Sequence, residues 1–124
     1  MINQFNHDLE IGKKEEESVD KILEGRASVE VKHDRKAQET GNLAFEIRNN
    51  DGTPSGLSIT TAEYWSQGIG ERPYARLIVE VPVLRRALRC ANKKKQLKLR
   101  RSVEGATNLI ISICDLMVCL KEAA

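Results

Sequence analysis

Between Ser28 and Asp34 the chain reads Ser-Val-Glu-Val-Lys-His-Asp, an alternation that suits a strand and not a helix. Residues two apart share a strand face, so Val29 and Val31 fall on one side and Glu30, Lys32 and Asp34 on the other. A second alternating run follows at Leu43-Ala44-Phe45-Glu46-Ile47-Arg48, with Leu43, Phe45 and Ile47 on its apolar side. If the two runs pair, Glu30, Lys32 and Glu46 share one face of a sheet. Two carboxylates hold a divalent cation through hard oxygen ligands, and a lysine beside them orients a water or neutralises a phosphate. Those are the parts needed for metal-assisted hydrolysis of a phosphodiester. The same pattern also fits a solvated antiparallel edge, in which Glu next to Lys contributes about a few tenths of a kcal/mol.

A chain of 124 residues with a 40% apolar fraction is expected to form one domain, 1–124, around a small core. Its net charge of +2 hides an asymmetry. Residues 8–24 carry Asp8, Glu10, Glu15, Glu16, Glu17, Asp20 and Glu24 against three lysines. Residues 85–101 carry nine Lys and Arg and no acid. Arg85, Arg86, Arg89, Lys93, Lys94 and Lys95 are therefore candidates for contacting a polyanion such as DNA. Cys90, Cys114 and Cys119 lack a C-x-x-C spacing and read as reduced thiols of an intracellular protein. The start, MINQFNHDLE, has no apolar core of a secretory signal, and the Leu109–Leu120 stretch is too short to span a bilayer, so no membrane role is expected.

Helical spacing of Val19, Ile22 and Leu23, with Gly25 after them, predicts a helix over 12–24. Glu16 lies on the Val19–Leu23 face and is expected to point along its buried edge. Strands over 28–34 and 43–48 come next, then a polar loop at 49–56. Thr60 or Thr61 is expected to cap a short helix through Ala62, Tyr64 and Trp65. Ala75–Val81 reads as a strand, and Pro82 begins a helix with a Val83, Leu84, Ala87, Leu88, Ala91 stripe. Leu109–Ile113 reads as a buried strand, and the tail after Asp115 fits either helix or strand. Elements in this order predict a mixed α/β or α+β domain built on one sheet. His7 reads as solvated and His33 as a core or edge residue on the valine side. Tyr64 and Trp65 are able to stack on bases, although core packing suits at least Trp65.

The segments VEVKHDRKAQETGNLAFEI and PSGLSITTAEYW resemble a small phage-type, Holliday-junction-resolvase-like branch of the PD-(D/E)XK nuclease superfamily. That branch joins an E-V-K strand to a T-G-N-x-x-x-E segment and an S-G-x-x-x-T-x-A-x-Y-W segment. Here these are Glu30-Val31-Lys32; Thr40-Gly41-Asn42 with Glu46; and Ser55-Gly56 with Thr60, Ala62, Tyr64 and Trp65. The resemblance covers residues 8–65. It implies a restriction-endonuclease-like mixed sheet flanked by helices and DNA cleavage with Mg2+ or Mn2+. It also implies an acid from the first helix, matched by Glu16, and a homodimer in the cytoplasm of a bacterial or phage-infected cell. The strand aspartate that usually precedes the E-x-K motif has no clear counterpart. Asp20 has the spacing but falls on the solvent side of its helix, so Glu46 is favoured as the second metal carboxylate, with Asp34 in reserve.

On this reading Glu30 and Glu46 hold the ion, Lys32 positions the attacking water and Glu16 reaches the ion through water. Two alternatives stand beside it. One is a catalytically inactive nucleic-acid-binding module on the same fold. The other is a phage interaction protein that packs its apolar tail against a partner.

Overall fold

The computed structural model describes residues 13–14, 16–72 and 75–124; His7, Glu15 and Pro73 lie outside the described residues. Helix α1 (residues 16–23) ends where the sequence expects. Gly25 sits at φ +71°, the Arg26 N–H reaches the Lys21 carbonyl at 2.9 Å, and the Gly25 N–H reaches that of Ile22 at 3.1 Å. This six-to-one and five-to-two pair of bonds satisfies carbonyls that the helix end would otherwise leave open.

The strands divide between two sheets. In the first, β1 (Val29–Asp34) lies parallel to β3 (Tyr64–Ile69), and β3 lies antiparallel to β4 (Ala75–Glu80). In the second, β6 (Thr107–Ser112) is central, flanked antiparallel by β2 (Asn42–Arg48) and β5 (Lys98–Arg101). A short helix, α2 (Ala37–Thr40), follows β1, and helices α3 (Val81–Lys93) and α4 (Ile113–Ala123) pack on each other. The mixed α+β class is the expected one. The single sheet that would pair β1 with β2 is not formed. Leu43 and Phe45 of β2 stand opposite Ile111 and Leu109 of β6, an apolar match that the charged strand β1 does not offer.

One further reading changes, and one left open is settled. Residues 64–69 form a strand, not the end of a helix. Thr60 Oγ1 does accept a backbone N–H, from Ala62 at 3.2 Å, but the turn stops there. The run after it is aromatic and apolar enough to serve as the middle strand of its sheet. The ambiguous tail is helix α4, started by Ser112, whose hydroxyl accepts the Asp115 N–H at 3.0 Å. Leu116 and Cys119 are buried there, so much of the apolar tail belongs to the protein's own core.

That core lies between α3, α4 and the second sheet. Leu84, Ala87, Leu88 and Ala91 form the buried stripe of α3, as their spacing requires. They meet Leu43, Phe45 and Ile111 from the sheet, and Trp65 enters from the first sheet, its ring 6.1 Å from that of Phe45. Among the described residues no helix is long and apolar enough to cross a membrane.

Candidate active site

The side of β1 that faces inward is the charged one. In register, Glu30 stands beside Trp65, Lys32 beside Gln67 and Asp34 beside Ile69. Trp65 and Gln67 are 1% and 2% exposed, so this is the buried face of the first sheet. Val31, expected in the core, lies on the other face and is 59% exposed. The reason is visible at the neighbouring strand. β2 is an edge of the second sheet, and its Ala44 turns both backbone groups toward the first. Asp34 Oδ2 accepts the Ala44 N–H at 2.8 Å, and Gln67 Nε2 donates to the Ala44 carbonyl at 3.2 Å. Gln67 Oε1 in turn accepts Trp65 Nε1–H at 2.9 Å. Valines on this face would leave those groups unpaired.

Around this seam is a cleft of about 620 Å³. Lys32 and Asp34 line it from β1, and Glu46 lines it from β2. Across the second sheet Glu46 is in register with Asn108, and Asn108 with Arg100, so the three side chains stand in a row on the cleft face. Glu46 is fixed from below: Ser55 Oγ–H donates to its Oε2 at 2.9 Å. Gly56, at φ +54°, lies so close to the strand that a Cβ there would come within 2.3 Å of the Glu46 carbonyl oxygen. The S-G pair singled out in the sequence therefore supports the glutamate of the T-G-N-x-x-x-E segment.

Lys32, Arg35, Lys36, Arg100 and Arg101 bring five cations to the cleft against the two carboxylates. None of the five forms a salt bridge among the described residues. His33, at the cleft's edge, hydrogen-bonds the Gly70 carbonyl, which suits an edge histidine. Trp65 is fully occupied in the core.

Other expected site residues lie elsewhere. Glu30 shares the inward face but does not line the cleft, because the β1–β2 pairing that would set it opposite Glu46 is not formed. Glu16 is exposed on α1 and is also absent from the cleft. The face expected to bury it leaves Val19 and Leu23 52% and 79% exposed. Asp20 is exposed as expected. The basic residues of α3 and its end do not line the cleft either, and three of them are engaged within the protein. Arg85 donates to the carbonyls of Leu57 at 2.9 Å and Thr60 at 3.0 Å. Arg86 reaches the Ala123 carbonyl at 3.4 Å, and Lys94 pairs with Glu122 at 2.8 Å. Arg89, Lys93 and Lys95 are exposed.

Among the described residues no three His, Cys, Asp or Glu side chains are gathered to hold an ion. Asp34 and Glu46 are the two carboxylates that line the cleft. Each has one oxygen fixed by a protein donor, Ala44 N–H or Ser55 Oγ–H, which leaves its second oxygen for a ligand. Magnesium is commonly bound by one or two carboxylates together with waters and substrate phosphates. The contributions of Gln67, Asn108, Arg35 and Lys36 were not apparent in the sequence. Arg100 was visible only as a member of the basic 85–101 run. Compared with known proteins, the chain matches no family model, no curated protein and no solved structure.

Proposed function

We propose that the protein is a divalent-metal-dependent DNA endonuclease acting in the cleft between its two sheets. The observation that carries this reading is one lysine and two hydrogen-bonded carboxylates, Lys32, Asp34 and Glu46, lining a cleft that also holds Arg35, Lys36, Arg100 and Arg101. The reading keeps Lys32 and Glu46 from the sequence and replaces Glu30 by Asp34. A bound Mg2+ or Mn2+ would lower the pKa of a water and polarise a phosphate oxygen. Asp34 and Glu46 would hold that ion. Lys32, a compact point charge, would stabilise the developing charge on the phosphate. Arg100, in the same row as Glu46, would hold an adjacent phosphate, and Arg35 and Lys36 would extend the basic path.

The test is incubation with supercoiled, linear and four-way-junction DNA in magnesium or manganese, comparing wild type with Lys32→Ala and Asp34→Asn. Cleavage by wild type alone supports the reading. No cleavage of any substrate, or equal cleavage by Lys32→Ala, removes it.

A second reading, a DNA-binding module without catalysis, is favoured by one observation: both cleft carboxylates already have a structural partner. Calorimetry separates the two readings. Magnesium or manganese binding that is lost in Glu46→Gln favours the enzyme, and DNA binding without any metal binding favours the module.

A further inference from the structure

The hairpin between β5 and β6 forms part of the same cleft, and its tip carries Val103, which is fully exposed. A lone exposed valine is ordinary on a protein surface. This one differs in its mounting. The Ser102 N–H donates to the Ala106 carbonyl at 2.8 Å, the Gly105 N–H to the Ser102 carbonyl at 2.9 Å, and the Ala106 N–H to Ser102 Oγ at 3.1 Å. Arg101 clamps the turn from beneath, with Nε on the Gly105 carbonyl at 3.1 Å and Nη2 on the Asn50 carbonyl at 3.5 Å. Gly105, at φ +94°, packs so closely on the 49–53 loop that a Cβ would fall 2.9 Å from Asn50 Cβ. The tip is thus a braced projection. A β-branched side chain at its end has little rotamer freedom and presents a blunt apolar surface. Arg100 stands behind it on the cleft face, and the Lys32, Asp34 and Glu46 group lies in the same cleft.

We infer that Val103 is a wedge that enters the base stack of duplex DNA while Arg100 holds the flanking phosphate. This inference rests on the nuclease reading of the cleft for its choice of ligand. Two-stranded β-ribbons fit the grooves of DNA, and apolar side chains inserted between base steps unstack and kink the duplex. Glu104, the other exposed residue of the tip, repels phosphates, so the tip meets the duplex through Val103. The consequence is a substrate class: steps that unstack easily, such as pyrimidine–purine steps and branch points, would be presented to the Lys32 group.

The experiment measures permanganate oxidation of unstacked thymines, summed over a linear duplex with thymines throughout, in EDTA so that no cleavage intervenes. Wild type at saturation should raise thymine reactivity. Val103→Ser should abolish the rise and weaken binding on the order of tenfold, the scale of one buried apolar side chain. Val103→Leu should retain the rise. Arg100→Ala should lower the slope of log affinity against log salt by about 0.9 and leave the rise intact at saturation. An unchanged rise in Val103→Ser, or saturation by wild type with no rise, overturns the wedge. Failure of wild type to bind the duplex overturns the wedge; the nuclease reading falls with it only if the same protein also cleaves no DNA, four-way junctions included, in magnesium or manganese. A rise that depends on Val103, in a protein that cleaves nothing in magnesium, supports the wedge and removes only hydrolysis.

Discussion

Asp34 and Ala44, on strands of different sheets, are joined by a 2.8 Å hydrogen bond from the Ala44 N–H to the Asp34 carboxylate. With the Gln67 amide on the Ala44 carbonyl, this bond substitutes for the ladder that a continuous sheet would have supplied. Removing the acceptor strands a partly buried N–H, at a cost of about 1–3 kcal/mol. Asp34→Ala should therefore melt roughly 5–15 °C below wild type. Asp34→Asn keeps an acceptor oxygen and should melt close to wild type while losing metal-dependent cleavage. Thermal melts of the two variants, read beside a cleavage assay, separate the structural from the chemical part played by this residue.

Gly56 supports Glu46 through a left-handed backbone and close contact with the strand. Gly56→Ala must strain φ and also push the β2 backbone away, which should cost more than about 1 kcal/mol. A denaturant titration showing unchanged stability would contradict the contact.

Lys32 and Arg85 make a contrasting pair. Lys32 makes no side-chain hydrogen bond among the described residues, so Lys32→Ala and Lys32→Arg should both fold. Both should lose cleavage and retain DNA affinity, because a planar guanidinium does not replace a compact ammonium. Arg85, expected from the sequence to bind DNA, instead secures the carbonyls of Leu57 and Thr60. Arg85→Ala should lower the melting temperature and leave the salt dependence of DNA binding unchanged, whereas Lys36→Ala should reduce that slope by about 0.9.

Cys90, Glu122 and Lys94 form a small polar cluster between α3 and α4, with Cys90 Sγ–H donating to Glu122 at 3.0 Å. The hydrogen bond to the Glu122 carboxylate, with partial desolvation, raises the Cys90 thiol from 9.0 to about 11. Because the folded value is raised, the stabilisation is complete below pH 9 and is lost as the pH climbs toward 11. Wild type should lose melting temperature over that window, and Glu122→Gln should lose less. Iodoacetamide at pH near 8 should modify exposed Cys114 before Cys90, with Glu122→Gln narrowing the difference.

What the sequence made legible was local. The α3 stripe, the Gly25 stop, and strands β1, β2, β4 and β6 follow from periodicity and turn chemistry, because neighbouring residues decide them. Pairing was not legible. Alternation puts Glu30, Lys32 and Asp34 on one face but does not say whether that face meets water, a helix or an unpaired strand edge. That choice depended on Ala44, an inconspicuous residue whose importance lies in its backbone. Val31 outside and Lys32 inside are the result. Of the residues that line the cleft, Lys32 and Glu46 were singled out because charge on an alternating strand is conspicuous. Gln67 and Asn108 were missed because their roles depend on neighbours distant in sequence. Among the α3 cations, a dense basic run hides the fact that Arg85 and Lys94 have partners far along the chain.

The bracing of the β5–β6 turn against Asn50 has a consequence for how this chain tolerates change. Loops usually absorb insertions freely, but lengthening either the 49–53 segment or the 102–106 turn would separate two surfaces that set each other's shape. The two segments should therefore vary together: a change in the length of one would be accepted only with a compensating change in the other, although Asn50 and Arg101 are 51 residues apart.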